Sequence, residues 1–207
     1  GILLWLIALA AGIRFRNLFG IAFTGGLLGA TSIFLKEYQR VRVTSFLNPW
    51  EDPQGNGYQL VQSLLAIGSG GLFGEGYGLS TQKLEYLPFR STDFIFSVFA
   101  EEFGFFGSLM LLIFLMLIAF LGLRVALRCK TNQSKLLAIG CSTILVGQAM
   151  MNIAVASGVM PTTGLPLPMI SYGGSSLMSS LLLAGLLVRC SIESTGVIGD
   201  TARKNRN

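Results

Sequence analysis

Four stretches of this sequence run for about the thickness of a bilayer without a charge, and they constrain the fold more than any other feature. A spanning helix needs roughly 20 apolar residues. Phe103–Leu123 supplies them, as do Leu136–Val159, Ser175–Val188 with its flanks, and the glycine-rich Leu18–Leu35. Charged residues make up 12% of the chain and hydrophobic residues 52%, against about 25% charged in an ordinary soluble domain. An all-α, polytopic transmembrane bundle follows, with about five helices here. Gly1–Ile13 is apolar but too short to span before Arg14, and it has neither a basic n-region nor a cleavage site. It reads as the end of a helix in a longer chain. The sequence has no histidine, so imidazole chemistry is absent from this segment. Cys129, Cys141 and Cys190 lack CxxC spacing and read as buried, reduced thiols.

Charge sets the expected topology. Arg14 and Arg16, then Arg124, Arg128, Lys130 and Lys135, then Arg189, Arg203, Lys204 and Arg206 mark alternate loops. The positive-inside bias assigns these to the cytoplasm. The formal charge of +5 needs no nucleic acid to explain it. The loop 37–92 and the uncharged turn 158–176 are then expected outside. The domain reading is a membrane domain over 1–192, including that loop, and a cytoplasmic tail over 193–207.

The long loop opens on turn chemistry, "NPWEDPQGNG". Tyr58–Ile67 follows as a short amphipathic helix, with Tyr58, Val61, Leu64 and Leu65 on one face and Gln59, Gln62 and Ser63 on another. Too short to span, it is expected along the outer interface. "GSGGLFGEGYG" reads as a flexible connector, a phosphate cradle being the lesser alternative because no GK[ST] follows.

Lys83, Glu85, Arg90 and Asp93 cluster among Leu84, Tyr86, Leu87, Pro88 and Phe89. Such a cluster suits a ligand with a polar head and a lipid tail. For Asp93 a second reading is open, that of a first-turn acid favoured by the helix dipole after Thr92. Ser91–Leu123 is expected as one continuous helix. Glu101 and Glu102 are expected to face the bundle interior and to hydrogen-bond between helices or cap there, a catalytic role being the lesser alternative. "GVMPTTGLPLPMISYGGSS" cannot be continuous helix, and irregular backbone near a membrane must be buried in protein or line a wet cavity. Its hydroxyls, Thr162, Ser171 and Ser175 foremost, suit sugar or phosphate; simple turn formation explains them equally.

Together, "FLNPWEDPQGNGYQLVQSLLAIGSGGLFG", "QKLEYLPFRSTDFIFSVFAEEFGFFG" and "MNIAVASGVMPTTGLPLPMISYGGSS" resemble the SEDS family, the FtsW and RodA proteins of bacterial division and elongation. The resemblance implies the second half of a ten-helix fold. It implies a peptidoglycan glycosyltransferase of the bacterial cytoplasmic membrane, polymerising lipid II at the outer face. The family's essential aspartate falls on Asp93 and its "LEYLP" glutamate on Glu85. Lys83, Arg90, Thr162, Ser171 and Ser175 are the accompanying substrate-binding candidates. A divalent cation, Mg²⁺ or Mn²⁺, is expected as cofactor, with no ligands assigned. The implied partners are lipid II, undecaprenyl-pyrophosphate-linked glycan and a class B penicillin-binding protein. Phe89 and Ser91 stand where the family commonly has Glu and His, and Thr163 where division-type members often have Lys, which leaves division against elongation open. The alternative function is a lipid flippase or transporter, or a scaffold of the cell-wall machinery, since Pro/Gly-broken helices also mark transporter sites.

Overall fold

The structure, a computed structural model, describes residues 5, 7–9, 12–35, 37–55, 57–78 and 94–195. All regular structure among the described residues is helical. The helices are α1 (Phe15–Leu35), α2 (Glu37–Leu47), α3 (Tyr58–Ser69), α4 (Ile95–Arg128), α5 (Asn132–Ala156) and α6 (Gly174–Ser194). α4, α5 and α6 are long and apolar enough to cross a membrane. These three helices all pack on one another, α5 the most closely with each of the others; α3 packs against α4 and touches α5. α1 packs on α2 and exposes Phe15, Phe19, Phe23 and Leu28, each at more than 60%.

Small residues let the spanning helices approach. A Cβ on Gly122 of α4 would collide with the Ser142 Cβ of α5, and Ala126, Ala138 and Cys190 close the basic end of the bundle. Thr131 caps α5 by accepting from Ser134 N at 3.2 Å, and Ser134 Oγ donates to Glu193 on α6 at 3.0 Å. With little hydrophobic drive between helices in lipid, such close packing and hydrogen bonding provide the association.

The expected continuous helix Ser91–Leu123 is corrected in two respects. α4 starts at Ile95, after Phe94 at φ −113°, and runs on to Arg128. It is also broken, because Gly104 sits at φ 65°, ψ −161°, a region open essentially to glycine alone.

The break is filled by the glycine-rich stretch after α3. Phe105 N donates to Gly71 O (2.9 Å) and Phe106 N to Leu72 O (3.2 Å). In the other direction Glu75 N donates to Glu101 O (3.0 Å) and Gly76 N to Glu102 O (3.2 Å). Backbone groups that the break would orphan are thus paired, as buried polar groups must be. A Cβ on Gly104 would run into Gly74 N, one on Gly74 into Glu102 O, and one on Gly70 into Ala100 O. The stretch expected to be a flexible connector is therefore a splice held by backbone pairing, and its glycines serve close approach.

α3 departs from its expected place as well. It buries Leu60, Val61, Ser63 and Ala66, so Ser63 belongs to the inner face and not to the polar one. Ser63, Ala66 and Gly70 recur at the same spacing as Ser97, Ala100 and Gly104; the two small-residue stripes face each other. Ser63 Oγ donates to Ala156 O at the end of α5 (2.6 Å). A hydroxyl has one proton, so Ser97 Oγ must be the donor in the Ser63–Ser97 bond of 2.5 Å. One hydroxyl pair thus joins α3, α4 and α5, and α3 is docked into the bundle.

Candidate functional site

At the end opposite the basic residues, a cavity of ≈ 390 Å³ opens between the last turns of α2, the turn 48–57, the start of α3 and Thr162. Arg42 and Ser45 come from α2, Gln54 from the turn, and Tyr58 and Gln59 from α3. A second cavity, ≈ 60 Å³, shares Arg42, Gln59 and Thr162 with the first and adds Thr163, Gly164, Leu165, Val155 and Phe94. The two form one cleft with a guanidinium, two amides and two threonines on its walls. Its inner limit is Phe94, the residue that follows Asp93.

Local backbone chemistry shapes each wall. In the turn, Gly55 N and Gly57 N both donate to Asp52 O (3.3 and 3.1 Å), and a Cβ on Gly57 would meet Pro49 O. The proline-rich wall begins where Gly158, at φ 72°, turns the chain off α5. Gln148 Nε2 then donates to Pro166 O (2.9 Å), and Asn152 Nδ2 to Leu165 O (2.8 Å). These two amides lie one helical turn apart on one face of α5. They hold the irregular segment against the bundle and satisfy its carbonyls, the condition for non-helical backbone at this depth. Leu167, 1% exposed, anchors the segment in the core with Phe94 and Ala156.

The residues singled out from the sequence separate accordingly. Lys83, Glu85, Arg90 and Asp93 lie outside the described residues. Thr162 lines both cavities. Ser171 is buried, and its Oγ accepts from Leu167 N at 2.7 Å, a bond internal to its turn. Ser175 is exposed in the first turn of α6. Neither serine is among the residues lining the two cavities. Glu101 and Glu102 are buried, and Glu102 Oε1 accepts from Gly78 N at 3.2 Å; the hydrogen-bonding role expected of the pair is present in Glu102. Among the described residues, no group of three or more Cys, Asp or Glu could hold a metal ion.

Residues 1–196 match the family described as Cell cycle protein, FtsW/RodA/SpoVE. The chain belongs to the FtsW/RodA/SpoVE family. A relative from Synechocystis sp., named probable peptidoglycan glycosyltransferase FtsW, is 58% identical over 94% of this chain and 49% of its own length. Stage V sporulation protein E of Bacillus subtilis is 45% identical over 80% of this chain and 46% of its own. The chain thus spans about half the length of the relatives it matches. A solved structure described as "Structural coordination of polymerization and crosslinking by a peptidoglycan synthase complex" superposes with a TM-score of 0.69, at 35% identity over 91% of this chain and 52% of that one. In this family member the all-helical bundle is that expected from the sequence, and three of the four expected spans are present as α4, α5 and α6; α1, which carries Leu18–Leu35, is not among the helices long and apolar enough to cross a membrane.

Arg42 and Gln59 were not singled out from the sequence. Arg42 sits in "YQRVRV", where nothing in the spacing distinguishes it from Arg40. Only the fold of α2 over the turn brings it beside Thr162.

Proposed function

We propose that this chain provides the reaction end of a peptidoglycan glycosyltransferase that polymerises lipid II at the outer face of the cytoplasmic membrane. The observation that carries the reading is the cleft in which Arg42, Gln59 and Thr162 lie beside Phe94, next in sequence to Asp93. Family membership and the names of the relatives support it. In this reading the basic ends of α4, α5 and α6 are cytoplasmic and the cleft faces outward.

Asp93 is the general base. It accepts the proton of the acceptor GlcNAc 4-hydroxyl as that oxygen attacks C1 of the donor MurNAc. The C1–oxygen bond to the pyrophosphate breaks, and undecaprenyl pyrophosphate leaves with the bonding pair. Direct displacement inverts the anomeric carbon and requires no covalent enzyme intermediate. The leaving group is already anionic, so it needs countercharge and no acid; Arg42 supplies a guanidinium suited to bidentate contact with phosphate oxygens. Gln59, Thr162 and Thr163 offer donors and acceptors to sugar hydroxyls, with Glu85, Lys83 and Arg90 as further contacts. A divalent cation, Mg²⁺ or Mn²⁺, would supply the same countercharge. Among the described residues no group of three or more Cys, Asp or Glu could hold it, no ligands are assigned to it, and no step above depends on it. The family partner proposed is a class B penicillin-binding protein, a reading supported by the synthase complex among the similar structures.

The test uses a full-length family protein carrying this chain, with labelled lipid II. Glycan polymer is expected from the wild type. Asp93→Asn is expected to lower the rate by about 10²–10⁴-fold, the range for general-base catalysis, while insertion into the membrane is retained. Movement of lipid II across the bilayer without polymer would make the protein a flippase. A rate for Asp93→Asn above about a tenth of wild type would remove Asp93 as the base.

A further inference from the structure

The loop that splices the α4 break carries an exposed apolar tip. Leu72 is 61% exposed and Phe73 80%, and the Phe73 ring lies 5.3 Å from that of Phe106. Below Phe106, the exposed residues Met110, Ile113, Leu117 and Leu121 recur at helical spacing and form one stripe down α4. The stripe ends at Arg124, whose guanidinium stacks on Phe120 at 4.5 Å. From Phe106 to Arg124 is a rise of about 27 Å, at roughly 1.5 Å per residue. The hydrocarbon core of a bilayer is about 30 Å thick. With Arg124 at one boundary, Phe106 and the Phe73 ring reach the other.

Two independent features fit that depth. The loop backbone is tied to α4 on both sides of the tip: Gly71 and Leu72 carbonyls accept from Phe105 and Phe106, Gly74 N donates to Gly70 O at 2.8 Å, and Glu75 and Gly76 donate to Glu101 and Glu102. Backbone held against α4 in this way is covered by protein, as irregular backbone near a membrane must be, and the Leu72 and Phe73 side chains project from it. Side-chain polarity also rises with distance from Arg124. Leu72 and Phe73 lie beside Phe105–Phe106, whereas Glu75 lies beside Glu101, one turn further out. Tyr77, 82% exposed and 6.3 Å from Phe103, stands at the height where amphipathic aromatics meet headgroups.

We infer that the Leu72–Phe73 tip is a membrane-inserted wedge, seated among the acyl chains of diacyl phospholipid in the leaflet opposite the basic end. The loop read from the sequence as a flexible connector is thereby a lipid anchor. It sets the depth of the splice, and through it the depth of the Phe94 end of α4. The inference holds whichever reaction the cleft performs.

The test places p-benzoylphenylalanine at position 73 of a full-length family protein carrying this chain, in nanodiscs of phosphatidylcholine and phosphatidylglycerol. After irradiation, mass spectrometry is expected to find phospholipid adducts in several-fold excess over those from the same probe at Glu75. Position 72 serves as a second site should the first variant fold poorly, with the same expectation. Crosslinks mainly to protein would show the tip covered by another part of the chain or a second copy, and would overturn the inference. Equal, low lipid adduct at 72, 73 and 75 would place the tip in water and overturn it as well.

Discussion

Gly104→Ala should open the splice that joins the loop after α3 to α4. At φ 65°, ψ −161° an alanine is strained by about 1–3 kcal/mol. Its Cβ would also meet Gly74 N and the Leu72 carbonyl. Both are backbone, so no side chain can swing aside, and the loop must move away. Displacing it weakens the bonds from Phe105 N to Gly71 O and from Phe106 N to Leu72 O, each with a net value of about 1 kcal/mol. A local loss of about 3 kcal/mol speeds exchange through local opening roughly a hundredfold, at about 1.4 kcal/mol per tenfold. Hydrogen–deuterium exchange at the Glu75, Gly76, Phe105 and Phe106 amides, in a full-length protein in nanodiscs, reads this directly. Gly158→Ala is the control. It has a similar φ of 72°, but its Cβ would find only Leu64 and Leu60 side-chain carbons, the nearest at 3.4 Å. That variant should leave exchange at the four amides unchanged. Wild-type exchange rates in Gly104→Ala would refute the claim that the glycine is required for the splice.

Ser63→Ala should destabilise the fold by about 1–3 kcal/mol, because it leaves the Ser97 hydroxyl and the Ala156 carbonyl without partners in the core. Ser97→Ala should cost less, since Ser63 keeps its bond to Ala156; thermal unfolding of the two variants gives the order. Gly122→Leu should separate α4 from α5 at Ser142 and lower the unfolding temperature, by overpacking worth about 1–3 kcal/mol. Arg42→Gln should weaken substrate binding in a lipid II titration, with Arg42→Lys intermediate because charge is kept and the planar fork is lost. Glu85→Gln should reduce polymerisation less than Asp93→Asn in the same assay; the reverse order would make Glu85 the better base.

The sequence by itself determined the class of fold. Uncharged runs the length of a bilayer leave a chain little choice but helices that satisfy their own backbone, so α4, α5 and α6 could be read from composition along the chain. Turn residues marked where helices could not continue: Pro161, Pro166 and Pro168 remove donors wherever they occur. Family motifs identified the SEDS resemblance, because they are contiguous strings. Tertiary structure alone decided the rest. The break at Gly104 was hidden in an apolar run, since a glycine can continue a helix or break it, and the choice depended on a loop some thirty residues earlier in the chain. Ser63 looked polar and outward because periodicity assigns faces by hydrophobicity, whereas close packing here selects for small size and a hydroxyl partner. Arg42 and Thr162 are 120 residues apart in sequence, and no local pattern links them. They share a cleft because Gln148 and Asn152 hold the turn after α5 under the end of α2. Local rules set which segments are helical; long-range hydrogen bonds and the steric needs of glycine set where those helices break and what they bring together.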